Sequence, residues 1–376
     1  GEFARRHGGL PRSKVTFPYV VSYRSKPYAV RIELEIPMQH PSHDDAAHGM
    51  EPTMHAALRH EYGDPSVVST GIVPRPTPDR GQVLVKVAAA GLDRATLHLM
   101  TGTPYLARLV FGIRRPHPPV LGMQVAGAVV GLGEGVSQFA IGDRVFGMAT
   151  SGSFAEYAVA KASVLARTPD SITDEEASTF GVSAATAYEA VVTKGQVGAG
   201  QKVLIIGASG AVGAYAVQLA SHLGAEVTAV ASAPKLDFVR SLGATYAVDY
   251  RTTAIADLKG RFDVVIDVAG NRKLSELRSV LTAQGTLLLV GGEEGGPVLG
   301  GLQRNMVSAL ANMFTKQMLA SVVSSPTTSS LTELADAMAK ASIHPPFDRT
   351  VGLDGALGAI ESMVRGELQG HAVVTP

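Results

Sequence analysis

Residues 202–225, KVLIIGASGAVGAYAVQLASHLGA, constrain this chain more than any other stretch. The run Val203-Leu204-Ile205-Ile206 has no polar face and is flanked by polar and glycine residues, which suits a strand buried on both sides. Gly207, Gly210 and Gly213 follow at a spacing of three. Val212, Ala216, Leu219, Ala220 and Leu223 then recur at helical spacing, and Gly224 stands where that helix would stop. Strand, glycine turn and helix in this order are the setting that a dinucleotide fingerprint needs. Glycine permits the sharp turn, and a pyrophosphate can come close to the free N–H groups at the helix start. Alone, the glycine triplet describes any tight strand-to-helix turn. The flanking elements, and a second strand after them, select the nucleotide reading.

The rest of the chain is compatible with such a domain. At 376 residues it is long enough for two domains. Basic and acidic residues number 33 each, so no net charge draws it to nucleic acid or to a membrane surface, and neither partner is expected. There is no cysteine, which excludes disulfides, thiol nucleophiles and thiolate-bound zinc. No apolar run reaches membrane-spanning length and no secretory h-region opens the chain, so a cytoplasmic location is expected.

Gly1-Glu2-Phe3 reads as a cloning remnant. Residues 15–36 alternate like strands (Val20, Val30, Ile32, Leu34, Ile36), while 40–52 is polar and aperiodic. Residues 1–53 are therefore expected to be a mobile extension outside the core. From Met54 short strands dominate, at 55–59, 82–90, 124–130, 144–146 and 154–158, predicting a β lobe. A helix is predicted from Thr173-Asp174-Glu175-Glu176 to Val192. Beyond it strands at 203–206, 226–231, 246–248, 264–268 and 286–290 alternate with helices at 211–223 and 235–242. That alternation predicts an α/β fold with a doubly wound parallel sheet. Two amphipathic helices, 331–341 and 357–365, and a strand at 372–374 close the chain.

In order, VAAAGLDRATLHLMTG (87–102), PPVLGMQVAGAVVGLGEGVSQFAIGDRVFG (118–147), GSFAEYAVA (152–160), the fingerprint and DVVIDVAGN (263–271) resemble the medium-chain dehydrogenase/reductase superfamily, in its zinc-independent quinone oxidoreductase branch. The resemblance runs from Met54 to the end. It implies a GroES-like β lobe (54–177 and 320–376) joined to a Rossmann domain (178–319), with the cofactor between them. It also implies a homodimer paired through the edge strand at 286–290. In the zinc alcohol dehydrogenases of the same superfamily, a cysteine ligand would fall on Asp93 and the Gly-His-Glu motif on Gly122-Met123-Gln124. Met, Gln and one Asp make a poor zinc site.

The second strand of the predicted sheet ends in Ala231-Ser232-Ala233-Pro234-Lys235, with no carboxylate for a ribose 2′-OH. A hydroxyl and a lysine can take a 2′-phosphate instead, and Tyr250 matches a tyrosine that reaches that phosphate in NADPH-using relatives. NADP(H) is thus the expected cofactor. By resemblance its site comprises Thr186, Ser209, Gly210, Ala211, Val212, Ser232, Lys235, Tyr250, Asn271, Gly291 and Gly292.

Three residues are candidates for the chemistry. Asp93 stands beside the nicotinamide ribose by resemblance, to hold its hydroxyl or to pair with Arg94 or Arg108; the alternative is that it only caps the turn after Gly91. His98 is a candidate proton donor to a substrate oxygen, or a structural histidine. Tyr105 is a candidate pocket wall, or core. The cluster Arg108, Arg114, Arg115 and His117 suits either an anionic group or a solvated face. The usual Gly-Lys near the C-terminus is Gly370-His371 here. The resulting expectation is NADPH-dependent hydride transfer to a quinone or an α,β-unsaturated carbonyl. The alternatives are an alcohol dehydrogenase-type oxidoreductase and an NADPH-binding protein without catalysis.

Overall fold

The runs 203–206 and 264–266 offer water no polar face, and in the structure they lie in a sheet covered on both sides. The structure is a computed structural model and describes residues 13–23, 26–36, 52–258, 262–292, 308, 312 and 315–376. The chain forms two compact units, Gly1–Met50 and Glu51–Pro376. In the first, β1 (Ser13–Tyr23) and β2 (Lys26–Ile36) pair antiparallel, from Ser13 opposite Ile36 to Tyr23 opposite Lys26. The aperiodic stretch 40–51 lies outside the described residues.

In the second unit the first lobe is β. An antiparallel pair, β3 (Thr53–Arg59) and β4 (Val68–Pro74), precedes β5 (Gln82–Leu92), the strand on which the lobe is built. β5 pairs antiparallel with β6 (Gln124–Leu132), and its first half also pairs with β8 (Tyr157–Lys161). β7 (Arg144–Met148) and β9 (Leu165–Arg167) continue the sheet beyond β6. The strand expected at 154–158 begins at Tyr157, because Phe154 and Ala155 are engaged with β3: the Phe154 carbonyl accepts from Ala57 N–H, and Ala155 bridges Ala56.

Among the described residues the second lobe holds six parallel strands: β10 (Lys202–Ile206), β11 (Glu226–Ala231), β12 (Tyr246–Asp249), β13 (Phe262–Asp267), β14 (Leu281–Leu289) and β15 (Met318–Ser321). Their order, β12-β11-β10-β13-β14-β15, is that of a Rossmann sheet with its topological switch between β10 and β13. Val203 and Ile205 pack on one face with Ala216 and Leu219 of the fingerprint helix, Ala211–His222. Leu204 and Ile206 pack on the other face with Leu277. Each such fully buried aliphatic side chain contributes about 1.5–3 kcal/mol.

Two expectations are corrected here. Residues 286–290 are not a sheet edge, because Thr286–Leu289 of β14 pair with Met318–Ser321 on their outer side. Among the described residues β15, which carries no strand signal beyond four residues, is the edge on this side of the sheet, and β12 ends the other. The helix opening with the Thr173 capping box is present, but it does not run evenly to Val192. It widens into π-helical turns at Phe180–Ala184 and Glu189–Lys194. In the first of these, the amides of Val182 and Ser183 donate to the Gln124 side chain instead of closing α-helical bonds.

The chain then returns to the β lobe. Helix Thr328–Ala341 turns Leu331, Leu334, Ala335 and Met338 inward at helical spacing. β16 (Phe347–Gly352), helix Ala356–Val364 and β17 (His371–Thr375) follow, and β17 pairs with β5 through Ala372 opposite Leu92 and Val374 opposite Ala90. The C-terminal strand therefore ends up beside the end of β5 that leads into Asp93.

Candidate active site

The carboxyl ends of β10, β11, β13 and β14 meet at one edge of the parallel sheet, where nucleotides bind in such folds. The fingerprint turn is drawn onto this edge: Gly207 and Ala208 donate to the Val230 carbonyl at 3.2 and 3.1 Å. Gly207 adopts φ +82°, a conformation that L side chains resist. A Cβ on Gly213 would stand 2.2 Å from the Gly207 carbonyl and 2.8 Å from Ala208 Cα, so the helix could not start so close to the strand with any other residue. The turn leaves Gly210 exposed and Ala211 and Val212 half-buried at a helix start that no side chain caps, where first-turn N–H groups lack intrahelical acceptors and suit an anion. This geometry fits a dinucleotide.

Ser232 lies half-buried at the end of β11, and Tyr250 is fixed beside it because its N–H donates to the Ala231 carbonyl at 3.2 Å. The Tyr250 ring is exposed and Arg251 lies 5.8 Å from its centre. Lys235 is not free at this corner: its Nζ donates to the carbonyls of Gly366, at 2.7 Å, and Leu368. Asn271 is exposed after Gly270, and Gly291 and Gly292 are half-buried after β14. A Cβ on Gly270 would meet the Gly291 backbone at 2.4 Å, so these two loops approach as only glycines allow. Thr186 is half-buried on the segment Ala185–Tyr188.

Asp93 is buried and caps the helix Arg94–Thr101, which carries His98: its Oδ1 accepts from Thr96 N–H at 2.9 Å and from Thr96 Oγ1 at 3.2 Å. The capping alternative is thus realised, yet Oδ2 has no partner within hydrogen-bond distance. Burial pushes the carboxyl above the usual carboxylate range, against the opposing pull of Thr96 and of the nearby Gln124 amide. His98 is half-buried. Tyr105 is 47% exposed and therefore not core. Arg108 lies 4.6 Å from the Tyr105 ring and 4.4 Å from the Tyr62 ring, while its Nε donates to the Gly102 carbonyl at 2.9 Å. Its guanidinium closes the C-terminal end of the helix and organises the loop, a structural role that the basic cluster in the sequence does not reveal.

Gln124 occupies the place of the zinc enzymes' glutamate, but its carboxamide is committed. Oε1 accepts from Val182 N–H at 2.8 Å and Ser183 N–H at 3.2 Å, and Nε2 donates to Ser183 Oγ at 3.4 Å. Among the described residues no group of three His, Cys, Asp or Glu side chains could hold a metal ion.

Two further residues belong to the site. Asp267, buried at the end of β13, accepts from Gly270 N–H at 3.0 Å and so shapes the loop carrying Asn271. An aspartate closing an apolar strand just before Gly-Asn is the signal that could have found it. His371 is fully buried, 4.9 Å from the Tyr215 ring of the fingerprint helix, and neither ring nitrogen has a hydrogen-bond partner. Burial drives its pKa from 6.5 to about 3, with the Ala211 backbone pulling weakly the other way. Its neighbour Gly370 donates to the Ser209 carbonyl at 2.9 Å, tying the C-terminal strand to the fingerprint turn.

Known proteins resemble this chain in sequence and fold. The family described as alcohol dehydrogenase GroES-like domain matches residues 79–170, and that described as zinc-binding dehydrogenase matches 211–340. A chloroplastic quinone-oxidoreductase, QR1, of Triphysaria versicolor is 30% identical over 319 residues, which is 81% of this chain and 92% of that protein. An NADPH-dependent alkenal/one oxidoreductase of Arabidopsis thaliana is 35% identical over 231 residues, 58% of each chain. Half of this chain also matches polyketide synthase GfsB of Streptomyces halstedii at 39% identity, but spans 3% of that protein. Among solved structures, mycobacterial Rv1454c complexed with NADPH has a TM-score of 0.73 at 27% identity, covering 86% of this chain and all of that one. Among the described residues no helix is long and apolar enough to cross a membrane. The chain belongs to the medium-chain dehydrogenase/reductase superfamily, among its quinone oxidoreductase-like members.

Proposed function

We propose that this protein is an NADPH-dependent reductase of quinones or α,β-unsaturated carbonyl compounds. The observation that carries the cofactor reading is the tip of β11: the strand itself ends without a carboxylate, in the Ser232 hydroxyl with the Tyr250 ring beside it, while Asp249 of the neighbouring strand β12, opposite Ala231, is engaged by its own loop through Arg251 N–H at 3.0 Å. The names of the quinone and alkenal/one oxidoreductases among its relatives support the acceptor class. Bound at this edge, NADPH supplies the hydride. The first-turn N–H groups after Gly210 would hold its pyrophosphate. The loops Gly270-Asn271 and Gly291-Gly292 would flank its nicotinamide half. The unpartnered Oδ2 of Asp93 would accept from a ribose hydroxyl, and His98 would deliver a proton to the acceptor oxygen. Quinones and enones suit a site of this kind, because their carbonyls already activate the carbon or ring that receives hydride.

A fluorescence titration with NADPH and, separately, NADH tests the reading, followed by turnover with a simple quinone and a simple enone. NADPH binding at least 10-fold tighter than NADH, with turnover of either acceptor, is expected. Equal or reversed preference refutes the β11 reading. Tight binding with no turnover of any acceptor points to the non-catalytic alternative. The homodimer is likewise proposed, through β15, which among the described residues is the sheet edge beyond β14; a monomer mass in light scattering rejects it.

A further inference from the structure

The segment 366–371 is fastened to the parallel-sheet lobe at two separate cofactor features. At one end the Lys235 ammonium, at the start of the helix following β11, donates to the carbonyls of Gly366 and Leu368. At the other, Gly370 N–H donates to the carbonyl of Ser209 in the fingerprint turn. Between them the segment is braced from its own lobe: Gln369 N–H donates to Asp348 Oδ1 at 2.9 Å and His371 N–H to the Pro346 carbonyl at 2.9 Å. Glu367 is paired with Arg365 at 2.7 Å, so its carboxylate is spoken for. Lys235 is 8% exposed, and Asp348 and Glu367 lie near enough to favour its charge, against burial, which lowers its proton affinity. Two of the three ammonium donors are thus taken by backbone carbonyls of the segment, and two carboxylates lie near enough to favour the charge.

We infer that Lys235 is an interlobe latch, a positioning residue that straps segment 366–371 across the nucleotide edge. Discrimination of the 2′-phosphate then falls to Ser232 and Tyr250. This goes beyond the proposed reductase activity and reassigns the lysine that the sequence offers as a phosphate ligand. The strap joins the adenosine end of the edge, at β11, to the pyrophosphate cradle. Loosening it therefore weakens the grip on any nicotinamide dinucleotide, phosphorylated or not.

The test compares wild type with Lys235→Met and Lys235→Arg, reading Kd for NADPH and for NADH together with amide hydrogen exchange of 366–371. The latch predicts that Lys235→Met weakens NADPH and NADH by the same factor, within twofold, and speeds exchange at Gly370 and His371 at least 10-fold. Lys235→Arg, which keeps the charge and the donors, restores much of the protection. Selective loss of NADPH affinity by 10-fold or more, with unchanged exchange in 366–371, overturns the inference. A second measurement on wild type alone covers the case of a variant that does not fold. If Lys235 were a phosphate ligand, NADPH would pull it off the strap and speed exchange there relative to NADH. The latch predicts equal protection with either cofactor. Failure of wild type to bind any cofactor would count against the reductase reading. The latch would still stand or fall on exchange in 366–371 upon Lys235→Met.

Discussion

His371 is a buried neutral imidazole with no hydrogen-bond partner, and replacing it exposes the cost of keeping it so. In His371→Leu the ring is exchanged for an apolar side chain of similar size. At pH 7.5 the exchange removes two buried unsatisfied nitrogens, whose desolvation costs about 1–3 kcal/mol each, so the variant is expected to be no less stable than wild type. At lower pH the difference grows. The native pKa is about 3 against 6.5 for the free side chain, so between these values the unfolded chain binds a proton that the native protein refuses. Stability present above pH 6.5 is therefore lost as pH falls toward 3. The loss is about 1.4 kcal/mol per pH unit, or about 2 kcal/mol at pH 5. Urea unfolding of both proteins at pH 7.5 and pH 5 isolates this group, because every other titration cancels in the comparison. The leucine variant should gain about 2 kcal/mol on wild type between the two conditions. A gap that does not change with pH would mean that the native imidazole titrates normally, and the reasoning from burial would be wrong.

Gly213→Ala places a methyl 2.2 Å from the Gly207 carbonyl, so NADPH affinity should fall at least 10-fold by fluorescence titration, with about 1–3 kcal/mol of stability lost. Gly198→Ala, where a Cβ meets nothing within 4 Å, is the control and should leave cofactor affinity unchanged. Gln124→Leu strips the Val182 and Ser183 amides of their acceptor and should cost about 2–4 kcal/mol in denaturant unfolding. A loss below about 0.5 kcal/mol would mean that the π-helical turn finds other acceptors. Asp93→Asn keeps an acceptor for Thr96 N–H and removes a buried charge. Because burial raises the native pKa above 3.8, the wild-type carboxyl's stabilising contribution is full below that value and is lost as pH rises. The asparagine variant should therefore gain on wild type between pH 4 and pH 7, while kcat/KM falls if the carboxylate orients the cofactor. Higher stability with unchanged turnover would confine Asp93 to capping.

Periodicity and glycine spacing by themselves determined the parallel sheet and its fingerprint turn. A strand buried on both faces must be apolar throughout, and a helix that starts against a strand must begin with glycines; both requirements are local and legible at 203–213. The Thr173 capping box was legible for the same reason, since its partners lie three residues apart. β15 was not: four residues of an edge strand carry no period of their own and are defined by their pairing with β14.

Tertiary structure alone decided what the polar side chains do. Lys235 reads as a 2′-phosphate ligand at a strand tip, and only the return of the chain 131 residues later gives its ammonium two carbonyls. Gln124 reads as a failed metal ligand until the helix after Thr179 brings the amides of residues 182 and 183 to it, 58 and 59 positions away in the chain. His371 reads as a substituted lysine until β17 pairs with the end of β5 and buries its ring against Tyr215. A backbone preference is set within a few neighbours, so sequence can state it. A side chain's hydrogen bonds and proton affinity are set by whatever the fold packs around it, and in this protein those partners come from distant parts of the chain.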